Sequence, residues 1–450
     1  MADAPYFAGK LLTGEGSIGR TNKKRQLHNL SMAEFTTPKG MKDFSGAEMM
    51  VRQRMLLAIE KQFRLWGYQP LSTPALEMVE TLEKKCGAEI KGQLFRIDDG
   101  KLAMRFDMTV PLARFSANSS VPKPYKRYAI GPVWRREEPQ KGRMREFLQA
   151  DADIIGCKEM RAEAELLAMA NETLEMLGFA NCTILLNNRK ILSGMAAKYG
   201  VENDAGLFRA LDKLGKIPEA AIAEELGKLG IGENEAEELL LMLTEKTGNK
   251  KALSNASEFS EEGAKELALI VDELELRRVK NAVVDLSLAR GLDYYTGPVF
   301  EIKASDEIGS VAGGGRYDNL LGMYGQAECA VGISLGIERL MALSAKEGAA
   351  TPTKVLVVGV KDEPKIYAAA LEAAKFLRAA GVPCETDLQG RPMRKQLEYA
   401  NALGIPYALI VGEEEIKAGK FTLKNLTTGG QEKAAIEEIA AELRKAAGAP

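Results

Sequence analysis

The chain has 450 residues, of which 46% are hydrophobic and 28% charged, and it carries a formal charge of −2 at pH 7. That length calls for roughly two to four domains, and the balance is that of an ordinary globular protein. So small a net charge excludes a globally basic nucleic-acid binder, leaving only a local basic patch for any polyanion, and no apolar run reaches the ~18 residues that span a bilayer.

Residues 1–33 are rich in Gly, Lys, Arg and small polar residues and lack periodicity. They read as a disordered leader, a tag or a mis-assigned start, since Met32 could open the chain equally well. Ser45 and Glu48 then have capping-box spacing, and Leu56, Ile59, Phe63 and Trp66 recur on one helical face. "GYQPLSTPALE" reads as extended chain broken by Pro70 and Pro74. "GQLFRIDD", "LAMRFDM", "YKRYAIGPVW" and "FLQADADIIG" follow as strands, with "DDGK" as a hairpin turn, predicting an antiparallel sheet. "MRAEAELLAMANETLEML" predicts a helix.

From about Asn187 to Glu275 the sequence becomes short Ala/Glu/Lys/Leu helices with Gly breaks, a helical insertion. Strands return with "NAVVDLSLARGLDYYTGPVFEIKA", predicted to turn as a hairpin at Thr296-Gly297-Pro298. After the small-residue linker "KEGAATPTK", strands and helices alternate to the C-terminus, which predicts a compact α/β domain. The organisation is therefore a leader over 1–33, core segments over 34–186 and 276–346 flanking an insertion over 187–275, a linker over 347–353, and an α/β domain over 354–450.

Chemistry has few options here. The single histidine, His28, lies in the leader, which excludes a Ser-His-Asp triad, a Cys-His dyad and most zinc hydrolase chemistry from the folded part. Five cysteines (Cys86, Cys157, Cys182, Cys329 and Cys384) are scattered without a CxxC pair, which fits a reducing cytoplasm rather than a disulfide framework. Catalysis has to run on carboxylates, arginines and backbone groups, with bound Mg²⁺ as a further option.

Five stretches carry candidates. In "WRREEPQKGRMREF", Arg135, Glu137, Arg143 and Arg145 alternate along two hairpin arms, so their charges are expected on one side of the sheet. Such arginines are ordinarily solvated, yet apolar strands flank these, and guanidinium groups on a cleft floor suit phosphate oxygens. In "MRFDMTVPLARF", Asp107 and Thr109 are expected on one strand face, where a carboxylate beside a hydroxyl suits an ammonium group. "LARGLDYYTGPVFE" places Arg290 before two tyrosines. "AGGGRYDNL" offers glycines that would let backbone approach a flat ligand, without matching a dinucleotide or P-loop fingerprint. "GISLGIERL" offers Gly332 and Gly336 for close strand–helix contact and Arg339 projecting from the helix.

Together these residues resemble the histidyl-tRNA synthetase family of class II aminoacyl-tRNA synthetases. "GPVWRREEPQKGRMREFLQADADIIG" is similar to its motif 2, "LARGLDYYTG" and "GGGRYDNL" to its two histidine motifs, "GISLGIERL" to motif 3 and "TPKGMKDF" to its opening. The aspartates at Asp107 and Asp153, where glutamates also occur, resemble the archaeal and eukaryotic branch. The resemblance implies an α+β fold: a class II antiparallel sheet core with a helical insertion acting as an acceptor-stem clamp, followed by a C-terminal α/β anticodon-binding domain. It further implies ATP-dependent ligation of L-histidine to tRNA(His) through a histidyl-adenylate, with Mg²⁺, in a cytoplasmic homodimer without membrane attachment.

Roles follow from the resemblance. Arg135 and Arg290 would neutralise the reacting carboxylate and α-phosphate. Phe147 and Arg339 would sandwich the adenine, Arg143 would reach the phosphates, and Glu137 would hold Mg²⁺. Asp107, Met108, Thr109 and Gln149 would surround the amino acid's ammonium group. Asp153 would accept from the imidazole N–H, with Tyr295 at the ring's other polar edge and Tyr294 lining the pocket. The alternatives are a non-catalytic regulatory paralogue of a histidine-biosynthesis phosphoribosyltransferase and a class II synthetase for another amino acid. A purely RNA-binding module would leave Asp107, Arg290 and Arg339 unexplained.

Overall fold

The computed structural model describes residues 35–84, 88–140, 142–245, 247–289, 294–305, 307–344 and 350–446. The leader and Arg290 lie outside them. The first helix, α1 (Gly46–Leu65), buries Met55, Ile59 and Phe63, one residue per turn, and ends where Gly67 takes φ +76°. Ser45 does stand at its N-cap, but its side chain makes no capping hydrogen bond, and Glu48 is drawn instead to Lys42 Nζ at 2.6 Å. The capping box is therefore absent, because the nearby ammonium outcompetes a backbone N–H for that carboxylate.

The short strands β1 (Gln69–Pro70), β2 (Leu76–Met78), β3 (Arg96–Ile97) and β4 (Leu102–Met104) follow, with α2 (Val79–Glu83) and α3 (Ala88–Gln93) between β2 and β3. β2, β4 and β3 form a small antiparallel sheet, with β3 and β4 joined at "DDGK" as predicted. The chain then departs from its predicted course. Where a continuing strand was expected, α4 (Thr109–Ala117) begins, with Pro111 in its first turn, where a missing N–H costs nothing.

Next come β5 (Tyr125–Trp134), β6 (Glu146–Ile155), α5 (Arg161–Met176) and β7 (Thr183–Asn188). The insertion comprises α6 (Arg189–Lys198), α7 (Asp204–Leu211), α8 (Glu219–Lys228), α9 (Glu233–Thr244), α10 (Asn249–Ser257) and α11 (Glu261–Leu276). Asn188, Asn203 and Ser260 cap α6, α7 and α11 through their side chains, leaving fewer orphan amides. β8 (Ala282–Val284), β9 (Pro298–Lys303), β10 (Ser310–Arg316), α12 (Asp318–Gly322), β11 (Ala330–Gly336) and α13 (Ile337–Leu343) complete this part. No strand precedes Thr296 to pair with β9 as a hairpin among the described residues; β9 pairs with β7 and β10 instead.

Among the described residues the large sheet has eight strands in the order β1-β5-β6-β11-β10-β9-β7-β8. Its middle is antiparallel as predicted, while β1–β5 and β7–β8 are parallel pairs at its two ends. One face packs on α1, α5 and the insertion in a single apolar cluster that runs from Met55 to Leu340 and includes Leu207, Leu226, Leu239 and Leu267. The insertion helices thus share the sheet's core. In the middle of β6 the opposite face carries polar side chains, because the strand alternates: Ala150, Ala152 and Ile154 enter the apolar cluster, so Gln149, Asp151 and Asp153 face the other way, between Phe147 and Ile155, which join two smaller apolar clusters.

The C-terminal part has β12 (Val355–Gly359), α14 (Pro364–Ala379), β13 (Cys384–Thr386), α15 (Met393–Leu403), β14 (Tyr407–Val411), α16 (Glu413–Ala418), β15 (Phe421–Asn425), β16 (Gln431–Ala434) and α17 (Ile436–Ala446). Its sheet order is β13-β12-β14-β15-β16, parallel over the first three strands and antiparallel over the rest. Sequence periodicity did not distinguish α16 and β16, both short and mostly exposed.

Candidate active site

A cavity of about 350 Å³ opens on the polar face of the large sheet. It is lined by Asp107, Thr109, Arg135, Glu137, Arg143, Phe147, Gln149, Asp153, Tyr294, Tyr295 and Arg339, all named from sequence. Met108 lies beside the site but does not line it: it is buried, and its carbonyl accepts from Arg127 Nη2 at 3.2 Å. Asp151, Tyr317 and Ser334 line the cavity and were missed.

The arginines of the "RREEPQKGRMR" loop do not all act alike. Arg135, half-buried, is aimed by a hydrogen bond from its Nε to the Phe106 carbonyl at 3.0 Å, and its guanidinium stands 5.2 Å from the centre of the Phe147 ring. Arg143 pairs with Glu137 at the cavity wall. Arg145 does not project beside them. Its Nε donates to the Glu137 carbonyl at 2.8 Å, its backbone N–H to the Gly40 carbonyl at 2.8 Å, and its side chain packs over Gly40. The expectation that all four charges share one side fails because Arg135 to Arg145 lie beyond the ends of β5 and β6 and lose the strand alternation.

Asp107 stands before α4 rather than on a strand. Its Oδ1 accepts from the Val110 N–H at 3.1 Å, which fixes the carboxylate, while Oδ2 is buried without a hydrogen-bond partner. Burial pushes its carboxyl up to about 6 against the pull of that amide and of Arg135. Gln149 Nε2 donates to Ser334 Oγ at 2.6 Å, leaving its Oε1 buried and also unpartnered. Thr109 adds a half-buried hydroxyl that hydrogen-bonds Tyr294. Two orphan acceptor oxygens and a hydroxyl around one cavity suit a group with several donors, such as an ammonium.

Asp153 is already engaged by two neighbours, though one of its oxygens makes no hydrogen bond. Its Oδ1 accepts from the Tyr317 hydroxyl, and Arg127 Nη2 lies 2.6 Å from its Oδ2 as an ion pair lacking hydrogen-bond alignment. Tyr294 packs edge-on against Tyr295 and Tyr317, with centroids 5.0 and 5.9 Å apart, making one wall aromatic.

The glycines serve packing more than ligand approach. A Cβ at Gly332 would sit 2.0 Å from Asp153 Oδ1, at Gly314 1.9 Å from the Gly332 carbonyl oxygen, and at Gly315 2.8 Å from the Tyr295 ring. Gly336 by contrast has ordinary clearance, so close strand–helix contact does not explain it. In α13, Glu338 takes Arg52 Nη2 at 2.5 Å and the Leu148 N–H at 3.0 Å, tying the helix to the base of β6, while Arg339 donates to the Ser310 carbonyl from a position in the cavity lining. Behind the site, buried Arg316 engages Glu163 at 2.6 and 2.8 Å. Arg290 lies outside the described residues; the segment before it is held by Asn187, whose Nδ2 donates to the Leu286 and Leu288 carbonyls at 3.0 Å.

The missed residues left a signal. Gln149, Asp151 and Asp153 are spaced by two in an otherwise apolar strand, and Arg127 interrupts another. Alternation alone places Asp151 on the same face as its two neighbours.

Comparison with known proteins gives consistent matches. The family model described as "Histidyl-tRNA synthetase" matches residues 40–340, and that described as "Anticodon binding domain" matches residues 354–446. The histidine–tRNA ligase of Aeropyrum pernix is 39% identical over 87% of this chain and 94% of its own length, and that of Bacteroides fragilis strain YCH46 is 37% identical over 91% and 98%. The crystal structure of histidyl-tRNA synthetase from Nostoc sp. PCC 7120 superposes with a TM-score of 0.82 at 28% identity, covering 92% of this chain and 100% of that one. A Bacillus halodurans C structure titled as an ATP phosphoribosyltransferase regulatory subunit/histidyl-tRNA synthetase has a TM-score of 0.70 at 23% identity over 84% of this chain and 98% of its own, a likeness of fold alone.

Proposed function

The chain belongs to the histidyl-tRNA synthetase family, and from that premise we infer how its cavity works. It is a histidine–tRNA ligase: it joins L-histidine to tRNA(His) at the expense of ATP, through a histidyl-adenylate.

The observation that carries the site reading is the pair of buried, unpartnered oxygens, Asp107 Oδ2 and Gln149 Oε1, beside the half-buried Arg135. The oxygens hold the α-ammonium of histidine, with Thr109 completing the set. That directs the carboxylate toward Arg135 and Arg290. One carboxylate oxygen bonds to the α-phosphorus as the bond to the β-phosphate oxygen breaks and pyrophosphate leaves. Both reactants are anionic, so fixed guanidinium groups lower the barrier, each worth roughly 3–4 kcal/mol. Phe147 and Arg339 hold the adenine, and Arg143 the leaving phosphates. In the second step the hydroxyl of the tRNA 3′-terminal adenosine attacks the histidyl carbonyl and AMP departs, its phosphate oxygen taking the proton.

Mg²⁺ would supply charge neutralisation at the triphosphate, and Glu137 is the residue that would hold it. Among the described residues no three His, Cys, Asp or Glu side chains are grouped to hold a metal ion. Glu137, already paired with Arg143, offers the single carboxylate that an ion held chiefly by phosphates requires. For the imidazole end, Tyr294, Tyr295 and Tyr317 form the wall, and Asp153 holds Tyr317 and Arg127 in place.

We place the chain in the archaeal/eukaryotic-like branch on Asp107 and Asp153, with the archaeal relative at 39% in support; a Bacteroides relative at 37% places some bacterial enzymes near it. Residues 187–275 act as the acceptor-stem clamp and 354–450 read the anticodon. A second copy pairs across the small sheet, where Leu76, Met78 and Ile97 are exposed. A reducing cytoplasm is supported by the free thiols of Cys157, Cys182, Cys329 and Cys384 among the described residues; no described helix is long and apolar enough to cross a membrane. The regulatory-paralogue reading is weaker, because the match to the anticodon-binding module covers 354–446.

The test is pyrophosphate exchange with each of the twenty amino acids, repeated with Arg290→Ala. Exchange is expected with histidine alone and a loss of about a hundredfold or more in the variant. Unchanged exchange there removes Arg290 from the mechanism, and exchange with another amino acid overturns the substrate.

A further inference from the structure

Three consecutive residues carry the chain from the small sheet to the cavity, and the reaction as described leaves the first without a task. Arg105 directly follows β4, the Phe106 carbonyl accepts from Arg135 Nε at 3.0 Å, and Asp107 lines the cavity. Arg105 is buried and its guanidinium spans two stretches of chain. Nε donates to the Pro132 carbonyl on β5 at 3.0 Å, and Nη1 to the Thr73 carbonyl at 2.8 Å. The backbone repeats the link: the Arg105 N–H donates to the Ala75 carbonyl at 2.9 Å, and the Arg105 carbonyl accepts from the Trp134 N–H at 3.0 Å. Trp134 is the residue before Arg135. Arg105 therefore holds the strand end that carries Arg135 and the chain that supplies its aiming carbonyl.

We propose that Arg105 is a positioning residue of the ligase: it staples the end of β5 to the chain at Arg105–Phe106 and so aims the Arg135 guanidinium at the reacting carboxylate and α-phosphate. The proposal rests on the role given to Arg135 above.

The staple suits a guanidinium and no other side chain. Its planar fork sends N–H groups two ways, toward Thr73 and toward Pro132, where an ammonium is a single point of charge. β5 makes room for it. A Cβ at Gly131 would lie 2.6 Å from Arg105 Nη2, so the fork occupies the space that a side chain there would fill. Burial opposes the positive charge, and so does Arg127, while Asp151, Glu77 and Asp107 favour it. Asp107 is steadied separately, its Oδ1 accepting from the Val110 N–H at 3.1 Å. Loss of the fork therefore falls on the chemical step, through Arg135, more than on the binding of histidine.

The experiment is a double-mutant cycle in histidine-dependent pyrophosphate exchange: wild type, Arg105→Lys, Arg135→Ala and the pair, with a thermal melt of each. Arg105→Lys is expected to lower kcat by about 10- to 100-fold, the effect of a reacting group displaced by an ångström, with KM for histidine and for ATP changed less than about threefold. In the Arg135→Ala background the same substitution is expected to lower kcat less than about threefold, because the group it aims is gone. An equal loss in both backgrounds overturns the proposal, since Arg105 then acts on the fold alone, and so does no loss in either. Gly131→Ala, which displaces the fork without removing it, takes the place of Arg105→Lys in the cycle if that variant fails to melt cooperatively. If both fail, a crystal structure of the wild type with a non-hydrolysable histidyl-adenylate analogue decides. Arg135 Nε on the Phe106 carbonyl, with the guanidinium on the analogue's acyl or phosphate oxygens, sustains the proposal; release from that carbonyl overturns it. Arg135→Ala that exchanges as well as wild type defeats the catalytic role of Arg135 instead.

Discussion

From Gln149 to Asp153 every second residue of β6 is polar and buried, at 8%, 4% and 2% exposure. On β12, buried on both sides, Val355, Leu356, Val357 and Val358 are a continuous apolar run at 0–1% exposure. β12 follows the rule for a covered parallel strand. β6 departs from it, hiding acids that prefer water and leaving one oxygen each of Gln149, Asp151 and Asp153 without a hydrogen bond. A strand that bears such a cost without repaying it in folding must recover it on binding, so the site is recognisable as the place where packing is least satisfied.

The sharpest way to break this comparison is Gly332→Ala. Its methyl would overlap Asp153 Oδ1, so Asp153 must swing and release Tyr317. The expected outcome is a loss of histidine-dependent exchange of about a thousandfold or failure to fold, read by exchange and melting; near-normal activity would mean that the cavity floor is soft. Next is Arg316→Ala, which strands Glu163, itself 0% exposed. Removing one partner of such a buried pair costs roughly 3–5 kcal/mol, measurable by urea titration.

Leu377→Ala sharpens the contrast from the other side. Leu377 is fully buried in the C-terminal cluster, and truncating it costs roughly 2–5 kcal/mol. Pyrophosphate exchange, which needs no tRNA, is expected to stay within twofold at 25 °C while charging of tRNA falls more.

The smallest effect tests the burial of acids directly. Asp107 and Asp151 titrate near 6 and 7, above the ordinary ~3.9 of an aspartate. The folded chain therefore binds their protons more tightly than the unfolded chain, and their contribution to stability falls as pH rises from about 4 to about 7. Asp151→Asn is expected to raise unliganded stability by roughly 2 kcal/mol at pH 8 and to change little at pH 4. A variant equally destabilised at both pH values would show that the carboxylate is satisfied after all.

Much of this was legible in the residues. The strand pattern of "LQADADIIG" and the three- and four-residue steps of Leu56, Ile59, Phe63 and Trp66 place β6 and α1 correctly, although Trp66 stands just past the helix end and Met55 rather than Leu56 is buried. The start of α4 was read as strand, although Pro111 in a first turn, with Asp107 able to accept from Val110, is a helix-opening pattern. Tyr317 and Arg127 were not legible as site residues. What defines them is a partner, Asp153, that lies 164 positions from the tyrosine and meets it only across the sheet. The triple glycine was misread for the same reason: its constraint comes from Gly332, Pro298 and Tyr295 next door, not from its own conformation.

Gly332 has one more consequence, for descent rather than for folding. Any missense change from a glycine codon installs at least one carbon where an aspartate oxygen already sits 2.0 Å away. A lineage can leave this position only after position 153 has been shortened or turned. The order of those two steps is dictated by space alone.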